Sequence, residues 1–158
     1  MTLRTGQQAP KLTLTTTDGS VMVPDSAGRP TLLMFFQEAG TPACSLQVAS
    51  LNGESETLKD LDALAVCVST DPIERLSEFA SSLGGVTLAL ATDPEGHAAE
   101  AFGVYDAEQK RAQRSAFVIA PNGTILLAIA WYNPSNSDQL LSIFTALGVG
   151  EAGEGSNG

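Results

Sequence analysis

Two short, almost wholly apolar runs separated by a stretch of helical spacing constrain this chain more than any other feature. TLLMFF (31–36) and LAVCVS (64–69) carry neither charge nor alternation. Strands of that kind are covered on both faces, so they belong in the middle of a sheet with a layer on each side. If they run parallel, the segment between them must cross over the sheet. Residues 44 to about 64 supply the crossover: Leu46, Leu51, Leu58 and Leu61 sit near helical spacing, with Asn52-Gly53 as a break.

The flanking segments extend the plan. KLTLTTT (11–17) alternates as an edge strand does, Asp18-Gly19 turns the chain, and Val21 and Val23 mark a returning strand. PDSAGRP (24–30) is a loop. After the second buried strand, Ser69 or Asp71 is expected to cap a helix with Pro72 in its first turn, ending at Gly84-Gly85. VTLALA (86–91) is a further strand and residues 93–104 a turn with a short helix. Residues 106–114 are expected to be a polar loop. SAFVIA (115–120), Pro121-Asn122-Gly123 and TILLAIAWY (124–132) form a hairpin, and residues 138–147 a last amphipathic helix. The order β-hairpin, β-α-β-α-β-α, β-hairpin, α predicts an α/β protein with a central mixed sheet and helices on both faces. It is the thioredoxin-like plan with an N-terminal β-hairpin extension. Residues 1–147 are expected to form one domain, and the Gly/Glu/Ser-rich segment 148–158 a disordered tail.

Bulk properties narrow the function. A formal net charge of -10 over 158 residues repels phosphate backbones and anionic membrane surfaces, so neither nucleic acid nor membrane is an expected partner. The apolar runs fall well short of the about 20 residues a spanning helix needs. MTLRTGQQAPKL has no apolar stretch behind its charges, so a cytoplasmic location is expected. Two cysteines are too few for a disulfide framework, and with one histidine they are too few for a structural zinc site. Neither a metal nor another cofactor is expected.

Chemistry concentrates at Thr41-Pro42-Ala43-Cys44. A cysteine that directly follows a buried strand and opens a helix faces unpaired amide N–H groups carrying partial positive charge. Those groups favour the thiolate, the nucleophilic form, and can cradle an oxygen as it gains charge. Thr41 lies one helical turn before the sulfur, within reach of its hydroxyl. The bland alternative is a small buried hydrophobe.

Residues 6–51, with these motifs, resemble the peroxiredoxins, and within them the bacterioferritin-comigratory group. That group shows a proline, three residues, a threonine, two residues and the attacking cysteine. Thr41 and Cys44 match, whereas the proline position holds Gln37. The resemblance continues through VCVSTDP (66–72), ATDPEGHAAEAFGVY (91–105) and RSAFVIAPNGTI (114–125), where Arg114 matches the group's distal arginine. It implies a thiol peroxidase in which Cys44 attacks a peroxide, Thr41 orients it, Arg114 holds thiolate and peroxide, and the amides near Ala43 and Cys44 donate to it. The family's proline is expected to shield the sulfur, so Gln37 is expected to wet the pocket. Following a strand, position 37 is expected to need no amide donor.

The same resemblance implies that a second thiol resolves the oxidised sulfur. The group's usual resolving position is Ala49 here, so that route is absent. Two routes stay open: an external thiol, from a small molecule or a thioredoxin-like protein, or a disulfide with Cys67. The partners are then a peroxide and a thiol reductant, with the protein a monomer or weak dimer. His97 in DPEGHAAEAF reads as the first turn of a surface helix, and Arg111 as a solvated loop residue. A thioredoxin-like disulfide reductase is the first competing function, though the chain lacks a Cys-x-x-Cys pair and has Ser115 where thioredoxins carry a cis-proline. The second is a non-catalytic redox-sensing protein of the same fold.

Overall fold

The computed structural model describes residues 2–24 and 28–148; the expected tail lies, apart from Gly148, outside the described residues. A seven-stranded mixed sheet forms the centre, built from β1 (Leu12–Thr16), β2 (Gly19–Val23), β3 (Thr31–Phe35), β4 (Leu64–Ser69), β5 (Ala89–Thr92), β8 (Ser115–Ile119) and β9 (Ile125–Ile129). Its spatial order is β2-β1-β5-β4-β3-β8-β9. The two apolar runs are neighbours at the middle, parallel, with Met34 opposite Cys67. β5 continues the parallel set, while β8 lies antiparallel on the other side of β3. The N-terminal hairpin joins through an antiparallel pairing of β1 with β5.

Strand alternation sorts the apolar side chains into two cores. Leu32, Met34 and Phe36, with Ala65, Cys67, Ala116 and Val118, face α1 (Pro42–Asn52), α2 (Ser55–Asp60), α3 (Ile73–Ser82) and α5 (Ser137–Leu147). Leu33, Phe35, Val66, Val68 and Phe117 face α4 (His97–Ala101) and the chain around it, where Phe102 closes an aromatic cluster. Its ring centroid lies 4.9 Å from Phe117 and 5.8 Å from Phe35. Burial of both strand faces is what the uninterrupted apolar runs demand.

Three local expectations change. The segment 106–114 is not all loop: β6 (Tyr105–Asp106) and β7 (Arg111–Ala112) pair antiparallel, and Ala112 is buried. Two residues per strand are too few to show alternation in sequence. Neither Ser69 nor Asp71 caps α3, whose N-cap is Pro72. Asp71 is instead drawn into a buried network, accepting from the Ser69 hydroxyl at 2.7 Å and from the Ala39 amide at 2.8 Å. The break after α1 falls at Gly53 as expected, but the helix begins at Pro42, two residues before Cys44.

Candidate active site

The geometry around Cys44 grows from the end of β3. The chain leaves the sheet at Phe36, whose amide still bonds to the Val68 carbonyl at 2.9 Å. It then turns through residues 37–40, with Gly40 at φ 92°, a left-handed conformation that glycine adopts without strain. Thr41 is the N-cap of α1. Its hydroxyl accepts from the Cys44 amide at 3.4 Å and donates to the Glu38 carbonyl at 3.2 Å. Pro42 takes the first helical position, where a missing N–H costs nothing. Cys44 is thus the third helical residue, in the first turn, where the helix dipole favours negative charge. That turn holds no acidic side chain to oppose it.

Cys44 is fully buried. Its sulfur accepts a hydrogen bond from the Gln37 amide, at 3.3 Å. The Gln37 side chain points on to Arg114, whose Nη1 donates to Oε1 at 3.0 Å. Arg114 also donates through Nε to the Tyr132 carbonyl at 3.4 Å. Arg114 immediately precedes β8, the neighbour of β3, and this adjacency brings it to Gln37, two residues past the end of β3.

Several expectations are modified here. Thr41 meets the Cys44 amide rather than its sulfur, because an N-cap hydroxyl is aimed at the first-turn N–H groups. Arg114 reaches the sulfur's neighbour Gln37 and the Tyr132 carbonyl, its two hydrogen-bond partners. Position 37 does use its amide, donating to the sulfur, which corrects the expectation that it needs no donor. Arg111 is not a free loop cation: its Nη1 lies 3.1 Å from Glu38 Oε1. His97 sits exposed at the start of α4, 3.5 Å from Glu95, as a surface helix residue would.

Glu38 carries no sequence signal beyond being acidic in the loop before the helix. It lies between Arg111 and Arg75, the latter at 3.5 Å. Arg75 also donates to the Ala39 carbonyl at 3.1 Å and pairs with Asp71 at 3.4 Å. These contacts, with the Asp71–Ala39 bond, tie the turn between β3 and α1 to α3 and β7. Glu38's charge is matched by two guanidinium groups.

Cys67 lies on β4 in the same apolar core as Cys44 and is fully buried. Burial pushes its thiol from 9.0 up to about 12. Tyr132, also buried, is raised as well, by burial first and then by the Cys67 charge. Both cysteines are free thiols. Among the described residues no cluster of histidine, cysteine or acidic side chains could hold a metal ion, and no helix is long and apolar enough to cross a membrane.

A mixed sheet of this order, with a free cysteine in the first turn of the helix after its central strand, defines a thioredoxin-like redoxin. The chain matches the AhpC/TSA family over residues 5–128 and belongs to that family, the peroxiredoxins, which are thiol peroxidases. It is 30% identical over 133 residues to peroxiredoxin Bcp of Bacillus subtilis, covering 80% of this chain and 84% of that protein. With peroxiredoxin Bcp of Escherichia coli it shares 34% over 104 residues, 65% of this chain and 66% of the relative. Among solved structures, peroxidoxin BcpB from Mycobacterium tuberculosis superposes with a TM-score of 0.79 at 24% identity, covering 91% of this chain and 97% of the other. Mycobacterium bovis AhpC gives 0.81 at 22%, covering 96% of each. These two likenesses speak to the fold.

Proposed function

We propose that the protein reduces hydrogen peroxide or organic hydroperoxides through the Cys44 thiolate, with Thr41, Arg114 and the pocket residues Gln37 and Ala43 around it. The observation that carries this reading is the hydrogen-bond chain from Arg114 through Gln37 to the Cys44 sulfur, at the amino end of a helix capped by Thr41. The thiolate attacks one peroxide oxygen; the S–O bond forms as the O–O bond breaks, and the other oxygen leaves as hydroxide or alkoxide, taking up a proton. Charge therefore moves from sulfur to oxygen, and helix amides and a permanently charged guanidinium stabilise it along that path. Arg114 keeps its proton throughout and supplies charge only.

The product is a sulfenic acid on Cys44, resolved by a thiol that forms a disulfide and releases water. An external thiol, from a small molecule or a thioredoxin-like protein, is the favoured resolving partner. Cys67 is fully buried with its thiol pushed up to about 12, so it offers almost no thiolate near neutral pH. Its place in the same core as Cys44 supports the second route, an internal disulfide after the first turn of α1 unwinds. The reading extends to a cytoplasmic monomer or weak dimer with two reduced cysteines, which sedimentation and cell fractionation test.

Stopped-flow oxidation of the wild type and Cys44→Ser tests the central step. Peroxide consumption is expected to vanish in the variant with the fold intact; equal consumption would overturn the assignment. Mass spectrometry after one equivalent of peroxide separates the two resolving routes. A loss of two hydrogens on one chain marks a Cys44–Cys67 disulfide, and one added oxygen or an adduct of the supplied thiol marks external resolution.

A further inference from the structure

We propose that Gln37 is a working part of the site: its backbone N–H stabilises the Cys44 thiolate, and its side-chain carbonyl holds Arg114 in position. The inference rests on the peroxidase reading of Cys44 and goes beyond it. A glutamine in the place of the family's proline departs from the pattern in two respects that the structure makes concrete. Proline has no amide hydrogen, whereas the Gln37 amide lies 3.3 Å from the Cys44 sulfur and points at it. Proline also has no side-chain acceptor, whereas Gln37 Oε1 receives Arg114 Nη1 at 3.0 Å.

Both contacts act on charge. A hydrogen bond to a sulfur strengthens when that sulfur becomes anionic, so the donor favours thiolate over thiol. The amide is fixed by the chain on either side of it, with Phe36 bonded to β4 and Ala39 bonded to Asp71. It therefore needs no reorganisation as the thiolate forms. Arg114 is a half-buried residue with a long, flexible side chain. Its two acceptors, Gln37 Oε1 and the Tyr132 carbonyl, hold the planar fork beside the sulfur's own neighbour. The pocket has exchanged a hydrophobic shield for a donor and an anchor.

Two measurements test this. In 15N-labelled wild type, the Gln37 amide proton is expected to shift downfield as Cys44 is titrated, and to lose that response in Cys44→Ser. A Gln37 amide indifferent to Cys44 ionisation would overturn the donor role without requiring any peroxide chemistry. The second is a cycle of Gln37→Ala, Arg114→Ala and the double variant, read as the rate constant for peroxide attack. Each single change is expected to slow attack about tenfold, the scale of one charge-assisted hydrogen bond. The double variant is expected to be no more than about threefold slower than Arg114→Ala, because the anchor has nothing left to hold. Fully multiplicative losses would overturn the anchoring role. Gln37→Pro, which removes both contacts, is expected to show less thiolate absorbance at 240 nm at pH 7 and a slower attack; an equal or faster rate would overturn the proposal. If instead Cys44→Ser still consumes peroxide, the peroxidase reading fails while the amide titration stands on its own.

Discussion

Cys44 and Cys67 share one apolar core, yet their polar surroundings differ. Cys44 sits in the first turn of α1 and accepts an N–H, whereas Cys67 lies inside β4 opposite Met34, and burial raises its thiol to about 12. This difference has a consequence for stability. In the unfolded chain Cys67 ionises near its ordinary 9.0, while in the folded chain it keeps its proton to about 12. Between those values the unfolded state binds fewer protons, so stability is complete below about pH 9 and falls as pH rises toward 12. The slope from this one group is at most about 1.4 kcal/mol per pH unit. Tyr132 is shifted in the same direction and adds to the loss at the upper end. Urea unfolding of the wild type and Cys67→Ala from pH 8 to 11 checks this. The wild type is expected to lose stability more steeply above pH 9 than the variant, and parallel curves would contradict the burial argument.

At the scale of elements, α1 is started by one side chain. The Thr41 hydroxyl accepts from the Cys44 amide and donates back to Glu38, so it joins the helix to the turn that precedes it. Thr41→Val keeps the shape and removes both bonds. It is expected to cost about 1 kcal/mol in urea unfolding and to slow peroxide attack, as the first turn that carries the sulfur loosens. Thr41→Ser is expected to restore most of both, which a purely steric role would not allow. The turn itself is held from the other side by Glu38 between Arg75 and Arg111. These pairs are partly exposed, so each adds little to stability. Their combined effect is to hold Glu38 between α3 and β7.

For the whole molecule, the sheet separates the candidate site from a large part of the apolar core. The candidate site lies with the core that faces α1, α3 and α5, whereas the aromatic cluster of Phe35, Phe102 and Phe117 fills the opposite face. Phe102→Ala leaves a cavity there and is expected to destabilise the protein by about 3–5 kcal/mol. The peroxide rate per folded molecule is expected to stay within twofold of wild type. Urea unfolding and stopped-flow oxidation at the same temperature check the pair; a large rate loss in well-folded Phe102→Ala would mean that the two faces are coupled through β3.

Local pattern was enough to place the central parallel strands, the N-terminal hairpin, the helix break at Gly53 and the cysteine in a helical first turn. Each depends on residues close together in the chain: an apolar run without charges, a turn dipeptide, a threonine and proline ahead of a helix. What tertiary structure alone decided lies in contacts between distant segments. Arg114 bonds to Gln37 across 77 positions and Arg111 to Glu38 across 73, because β8 packs against β3 and β7 comes near the turn after it. No spacing rule relates such residues; only the lateral order of strands does. The same holds for Cys67, whose reactivity depends on how completely β4 is covered, and for Asp71, a plausible cap by position that the Ala39 amide and Ser69 hydroxyl claimed instead. The family proline made Gln37 visible as a departure, but the direction of its amide toward the sulfur is set by how β3 ends above the first turn of α1.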